Sequence, residues 1–202
     1  MEGAVLSRFE KLYELIEEKN GLVFTKDVVR AGIPKSYLTE LVKNGQLERL
    51  GHGIYINENA FEDKMFNLQQ SKGAIVFSHD TALFLHDLTD RDPLNYSVTV
   101  PTGYNTKNIK NEGVNVFTIK RELYPLGLTT LKTPFGNEVK TYNMERTICD
   151  MIRSRNKMDI AILTDALKRY VKRKDKNIPR LMEYAESFRI AKILRNYMEV
   201  LL

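Results

Sequence analysis

The sequence predicts an α+β protein of two modules, and three observations carry that prediction. Between residues 25 and 56 a short helical pattern, a Gly-Ile-Pro turn, a second helical pattern and two β-prone runs follow one another. Between residues 74 and 142, short apolar or alternating runs are bounded by Gly, Pro and Asn, as strands require. After residue 145, apolar residues recur every three or four positions, the spacing of buried helix faces. The first observation defines an N-terminal winged helix-turn-helix. The other two define a mixed-sheet α/β module with a helical C-terminal tail.

The first helix is expected over residues 7–19, where Leu6, Phe9, Leu12, Tyr13 and Ile16 make one apolar stripe. Asn20-Gly21 ends it, since both residues tolerate the left-handed backbone of a helix C-terminus. Thr25 is the expected N-cap of the next helix, with Asp27 favourable to its dipole. Gly32 and Pro34 close that helix and set the following one.

The helix expected over residues 35–44 has two faces. Leu38, Leu41 and Val42 lie on one arc, with Tyr37 at its edge. Lys35, Ser36, Thr39 and Lys43 lie on the opposite arc. A solvated amphipathic helix gives the same pattern. The preceding tight turn and the following hairpin favour a recognition helix placed in the DNA major groove. Gly51-His52-Gly53 separates the runs 46–50 and 54–56, so Arg49 and His52 fall on or near the wing, facing backbone or minor groove. A bare hairpin that only closes the domain is the alternative.

A linking helix is expected over residues 60–71 from the spacing of Phe61, Met65, Phe66 and Leu68. Residues 74–77 form a buried strand, and Ser78 caps a helix carrying Asp80 in its first turn. Residues 96–101 and 114–120 alternate as strands. Residues 128–133 and 138–142 form a hairpin through Pro134-Phe135-Gly136-Asn137. Three helical stripes complete the chain: Ile148, Met151 and Ile152; Ile160, Leu163, Leu167, Tyr170 and Val171; and Ile190, Ile193, Leu194, Tyr197 and Leu201. The expected division is a reader at 1–57 and a larger module at 58–202.

Composition narrows the class. Of the 202 residues, 43% are hydrophobic and 28% charged, which is ordinary for a soluble globular protein. No apolar run approaches the roughly 18 residues of a spanning helix, so no membrane is expected. The acidic, amphipathic start is unlike a signal peptide, and the expected location is cytoplasmic. Cys149, the single cysteine, excludes an intramolecular disulfide and a Cys-rich zinc site.

The net charge of +5 is unevenly spread. Residues 1–60 carry 8 basic and 9 acidic side chains, residues 61–145 carry 9 and 10, and residues 146–202 carry 14 and 7. The surplus therefore lies outside the apparent reader. Between residues 165 and 176, Lys168, Arg169, Lys172 and Lys176 share the face opposite the apolar stripe, with Arg173 and Lys174 beside them. Such cations suit DNA phosphates without demanding sequence preference. A solvated face, or a surface for an acidic protein or RNA, is the alternative.

Other candidate sites are weaker. His79-Asp80 and His86-Asp87 recur seven residues apart, about 10 Å of helical rise, which is too far for both pairs to hold one metal ion. Cys149 lies among apolar neighbours and reads as a buried small hydrophobe. The sequence holds no Walker A, GxGxxG or GxSxG pattern. A non-enzymatic protein without metal or cofactor is expected.

Several stretches together resemble the AbiEi antitoxins of type IV abortive-infection (AbiE) toxin–antitoxin systems. These are GIYI at 53–56, SHDTALFLHDLT at 78–89, VPTG at 100–103, TPFGNEVKTY at 133–142 and ERTICDMIR at 145–153. The resemblance runs over nearly the whole chain, with SHDTAL and ERTICDMIR its most specific parts. It implies a bacterial autorepressor that binds inverted repeats in its own promoter through the winged helix. It also implies a C-terminal module that counteracts a nucleotidyltransferase-like toxin without a stable complex.

Overall fold

The computed structural model describes residues 2–201, and the side-chain surroundings of residues 8–199. The chain divides into two compact units, residues 1–71 and 72–202. The division falls later than residue 57 because the helix at 64–72 packs into the first unit, where Phe66 lies edge-on to Phe24 with ring centres 5.9 Å apart.

The first unit runs α1 (Glu2–Glu18), β1 (Leu22–Phe24), α2 (Thr25–Arg30), α3 (Ser36–Lys43), β2 (Glu48–Gly51), β3 (Ile54–Ile56) and α4 (Lys64–Lys72). Its sheet has the order β1-β3-β2, antiparallel throughout. This order of elements is consistent with a winged helix-turn-helix. Asn20 (φ 51°) and Gly21 (φ 83°) end α1 in the left-handed region, as their sequence predicts. Leu12, Ile16, Val28, Ile33, Leu38 and Leu41 are buried in one apolar cluster that α1, α2 and α3 share. Truncating a fully buried leucine such as Leu38 to alanine removes about 3 kcal/mol.

Several local expectations are corrected. Thr25 is the first residue of α2 rather than its cap; Phe24 holds the cap position with no side-chain hydrogen bond. Lys35 is the cap residue of α3, not its first turn. Phe61 precedes α4 and is 84% exposed. β1 has no counterpart in the sequence reading. Leu6 and Leu201, expected on the first and last apolar stripes, have side chains outside the described residues.

The second unit contains β4 (Val76–Phe77), α5 (His79–Leu85), β5 (Ser97–Pro101), α6 (Lys107–Asn111), β6 (Asn115–Ile119), β7 (Leu128–Lys132), β8 (Glu138–Tyr142), α7 (Met144–Arg153), α8 (Ile160–Lys172), α9 (Ile178–Ser187) and α10 (Ala191–Leu201). Its sheet is mixed, in the order β6-β5-β4-β8-β7. The β5–β6 and β4–β8 pairs are parallel, and β4–β5 and β7–β8 antiparallel. Every residue of α7 from Met144 to Ile152 is buried. Ile148, Met151 and Ile152 join Leu163, Leu167, Tyr170, Leu181 and Leu194 in the main apolar cluster. Ile160, expected on that stripe, is 52% exposed at the start of α8. Ser78 takes the cap position of α5 but makes no capping bond; its hydroxyl serves His79 and Thr99 instead.

Candidate nucleic-acid interface

The candidate reader is built by burying one side of α3. Leu38 and Leu41 are 0% and 1% exposed, which fixes the helix rotation and turns Lys35, Ser36, Thr39, Glu40 and Lys43 outward. Glu40 is the one acidic side chain on that outer surface. The wing is locked to α2 by the bond from the Thr25 N–H to the Gly53 carbonyl, 2.9 Å. Gly53 has φ 74°, and a Cβ there would meet the Thr25 hydroxyl at 3.2 Å, so the close approach needs glycine.

Arg49 and His52 are both exposed on the wing. Arg49 donates from Nε to the Gly51 carbonyl at 3.2 Å, which holds its guanidinium against the turn. Lys35, Arg49 and His52 line one open concavity together with Lys26. Thr39 and Lys43 lie farther along α3, outside it. Lys26 is absent from the sequence reading. Its Nζ lies 5.1 Å from the Phe24 ring centre and 2.5 Å from Gln70 Oε1, so it is placed by two neighbours. The sequence signal was its position beside Thr25, at the start of a helix too short for a face to show.

The C-terminal cations differ in availability. Arg169 donates to Asp165 at 2.9 Å and forks onto both oxygens of Asp90. Arg173 forks onto Asp175, both bonds 2.8 Å, and donates to the His86 carbonyl. These pairs hold the Asp90 and Asp175 carboxyls below the usual carboxylate range. Lys176 donates to the Arg173 carbonyl at 3.1 Å. Lys168, Lys172 and Lys174 are exposed, with no ion pair among the described residues. They share this with the exposed Lys157, Arg180, Lys192 and Arg195, so the unpaired part of the surplus is spread beyond α8.

The histidine pair is taken up internally. His79 is buried, with Nδ1 at 2.9 Å from the Ser78 hydroxyl, Nε2 at 3.0 Å from the Ser154 hydroxyl, and its ring stacked on Phe117. Burial lowers its pKa to about 4. His86 Nε2 contacts the Tyr142 carbonyl at 2.7 Å. Among the described residues, no group of three or more His, Cys, Asp or Glu is placed to hold a metal ion. Cys149 is buried beside the Leu181 carbonyl, and burial pushes its thiol pKa well up, opposite to a nucleophile. No helix among the described residues is long and apolar enough to cross a membrane.

The element order of the N-terminal unit is consistent with a winged helix-turn-helix, and the comparisons with known proteins bear on the same residues. Residues 10–57 match the family model described as "Transcriptional regulator, AbiEi antitoxin". Over those residues the chain is similar to the AbiEi antitoxin regulators. No match is found among curated proteins. Among solved structures, the crystal structure of the RV2827C protein from Mycobacterium tuberculosis is similar, with a TM-score of 0.62 at 17% identity, covering 87% of this chain and 70% of that one. At that identity the likeness shows the fold alone.

Proposed function

We propose that this protein is a DNA-binding antitoxin and the autorepressor of its own type IV toxin–antitoxin operon. The N-terminal unit acts as a winged helix-turn-helix. In this reading Lys35, Ser36, Thr39 and Lys43 face the major groove of inverted repeats in the promoter, and Arg49 and His52 contact the flanking backbone or minor groove. The second unit counteracts a nucleotidyltransferase-like toxin without catalysis and without a stable complex, in the cytoplasm. Lys168 and Lys172 add phosphate contacts, with Arg169, Arg173 and Lys176 behind them.

The observation that carries this reading is the outward polar and basic face of α3 beside two wing cations, in the unit that matches the AbiEi regulators. A reader segment with net charge −1 over residues 1–60 binds phosphates weakly by itself, which is the reason to enlist the free lysines. Footprinting the full chain on the promoter upstream of its own gene tests the reading. Two protected half-sites about one or more helical turns apart are expected. Absence of any protected segment there would overturn it.

A second reading is that the C-terminal face binds an acidic protein or RNA instead of DNA. Lys168, Lys172 and Lys174 standing free in a unit separate from the reader favour it. Competition distinguishes the two: operator DNA and such a partner exclude one another only if they share that face.

A further inference from the structure

We propose that the second unit carries a binding site for a small phosphorylated ligand of nucleotide size, at the carboxyl ends of the parallel strands β5 and β6. A concavity of about 480 Å³ lies there, lined by Thr118, Lys120, Arg153, Phe188 and Arg189. That volume falls within the roughly 300–1,000 Å³ of small-molecule sites. In α/β sheets ligands collect outside the carboxyl ends of the strands, where the connecting segments diverge and leave a crevice.

Charge selects the ligand class. Lys120, Arg153 and Arg189 line the opening with Glu122 as the one carboxylate among the lining residues. Behind them Asp150 accepts from Arg146 and from Arg153, each at 2.9 Å. One carboxylate thus serves two guanidiniums. Arg146 is fully buried, and its Nη2 has no hydrogen-bond partner among the described residues. Its guanidinium and that of Arg153 both rest on Phe188, 4.5 and 4.9 Å from the ring centre, so Arg153 is held in place before any ligand arrives.

Arg189 follows the end of α9. It has φ 58°, the left-handed conformation that follows a helix end and favours glycine. That conformation closes α9, where the Ile190 N–H donates to the Ala185 carbonyl at 2.8 Å, and Arg189 lines the concavity from there. Forked guanidiniums match phosphate oxygens, and the Thr118 hydroxyl adds a donor. The surplus of cations suits a ligand with two or more negative charges, such as a nucleoside diphosphate or triphosphate.

Isothermal titration of the full chain with pyrophosphate, ATP, GTP and a short single-stranded oligonucleotide tests the site. Pyrophosphate or a nucleotide is expected to bind, and Arg189→Gly and Lys120→Ala each to weaken it at least about tenfold. Arg189→Gly keeps its melting temperature, since glycine suits that backbone, so lost binding is not lost folding. Lys132→Ala, on β7 at the opposite edge of the sheet, leaves binding unchanged. The proposal is overturned if nothing binds up to about 10 mM ligand, if Arg189→Gly and Lys120→Ala bind as the wild type does, if Lys132→Ala weakens binding equally, or if only the oligonucleotide binds.

Discussion

Arg146 and Asp150 stand four residues apart on α7 and form an ion pair sealed from water, with Nε donating to Oδ2 at 2.9 Å and side chains 0% and 2% exposed. The same guanidinium donates to the carbonyls of Leu123 and Leu126, at 2.8 and 2.7 Å, and lies against Tyr142 as well as Phe188. Arg146 of ERTICDMIR thus fastens the segment before β7 to α7. A buried cation that loses its carboxylate costs about 3–5 kcal/mol.

Denaturant titration of Asp150→Asn should therefore show a loss of that size. Arg146→Lys should be nearly as damaging, because a compact ammonium lacks the planar fork that spans Asp150 and the two carbonyls between the Tyr142 and Phe188 rings. Arg169→Lys, whose partners are exposed, should leave the unfolding midpoint unchanged. An Arg146→Lys protein as stable as the wild type would contradict the role given to the fork.

Acid sensitivity follows from His79. Burial lowers its pKa to about 4, opposed by Asp150 and assisted by Arg153 and Arg146. The folded pKa lies below the unfolded value of about 6.5, so in that window the unfolded chain takes up a proton the folded protein refuses. Stability is full above the window and falls as the pH drops through it, by up to about 3 kcal/mol. Burial of His86 acts in the same direction. Unfolding free energies at the two ends of the window should show the fall, and His79→Asn, which tolerates φ 53°, should reduce it. An unaltered pH slope in His79→Asn would assign the effect elsewhere.

The free lysines make a salt-dependence prediction. If the C-terminal face touches DNA, Lys168→Ala with Lys172→Ala lowers affinity for operator and random DNA alike. The slope of log affinity against log salt should fall by about one unit per lost contact. Arg169→Ala and Arg173→Ala should change it less, because Asp90, Asp165 and Asp175 already neutralise those guanidiniums. Unchanged slope and affinity in the double lysine variant would remove this face from the footprint.

Much of the fold is legible in the sequence because its signals are local. Asn20-Gly21 marks a helix end, and the Leu38–Leu41 spacing marks a buried face. Alternation at 96–101 and 114–120 marks two strands, observed as β5 and β6. What the sequence conceals depends on distant partners. Leu22-Val23-Phe24 is a strand only because β3 pairs with it, and three buried residues show no alternation. Phe61 and Ile160 fit apolar periodicity yet lie outside the packed faces. Charge counting has the same blind spot: Arg146 enters the C-terminal surplus although it never reaches the surface. Arg169 and Arg173 enter it although carboxylates answer them. Lys26 was hidden for the opposite reason, since only the fold brings it beside Lys35, Arg49 and His52.

The central claim is that the outer face of α3 reads bases, and Thr39 and Lys43 are its exposed midpoint and end. The most direct measurement compares affinity for the protein's own operator with affinity for a random duplex of equal length, at one salt concentration, for the wild type, Thr39→Ala and Lys43→Ala. The account predicts a loss of about 1–3 kcal/mol on the operator for each lost base contact and a much smaller loss on random DNA. Equal losses on both duplexes, or operator binding at wild-type strength, would contradict it.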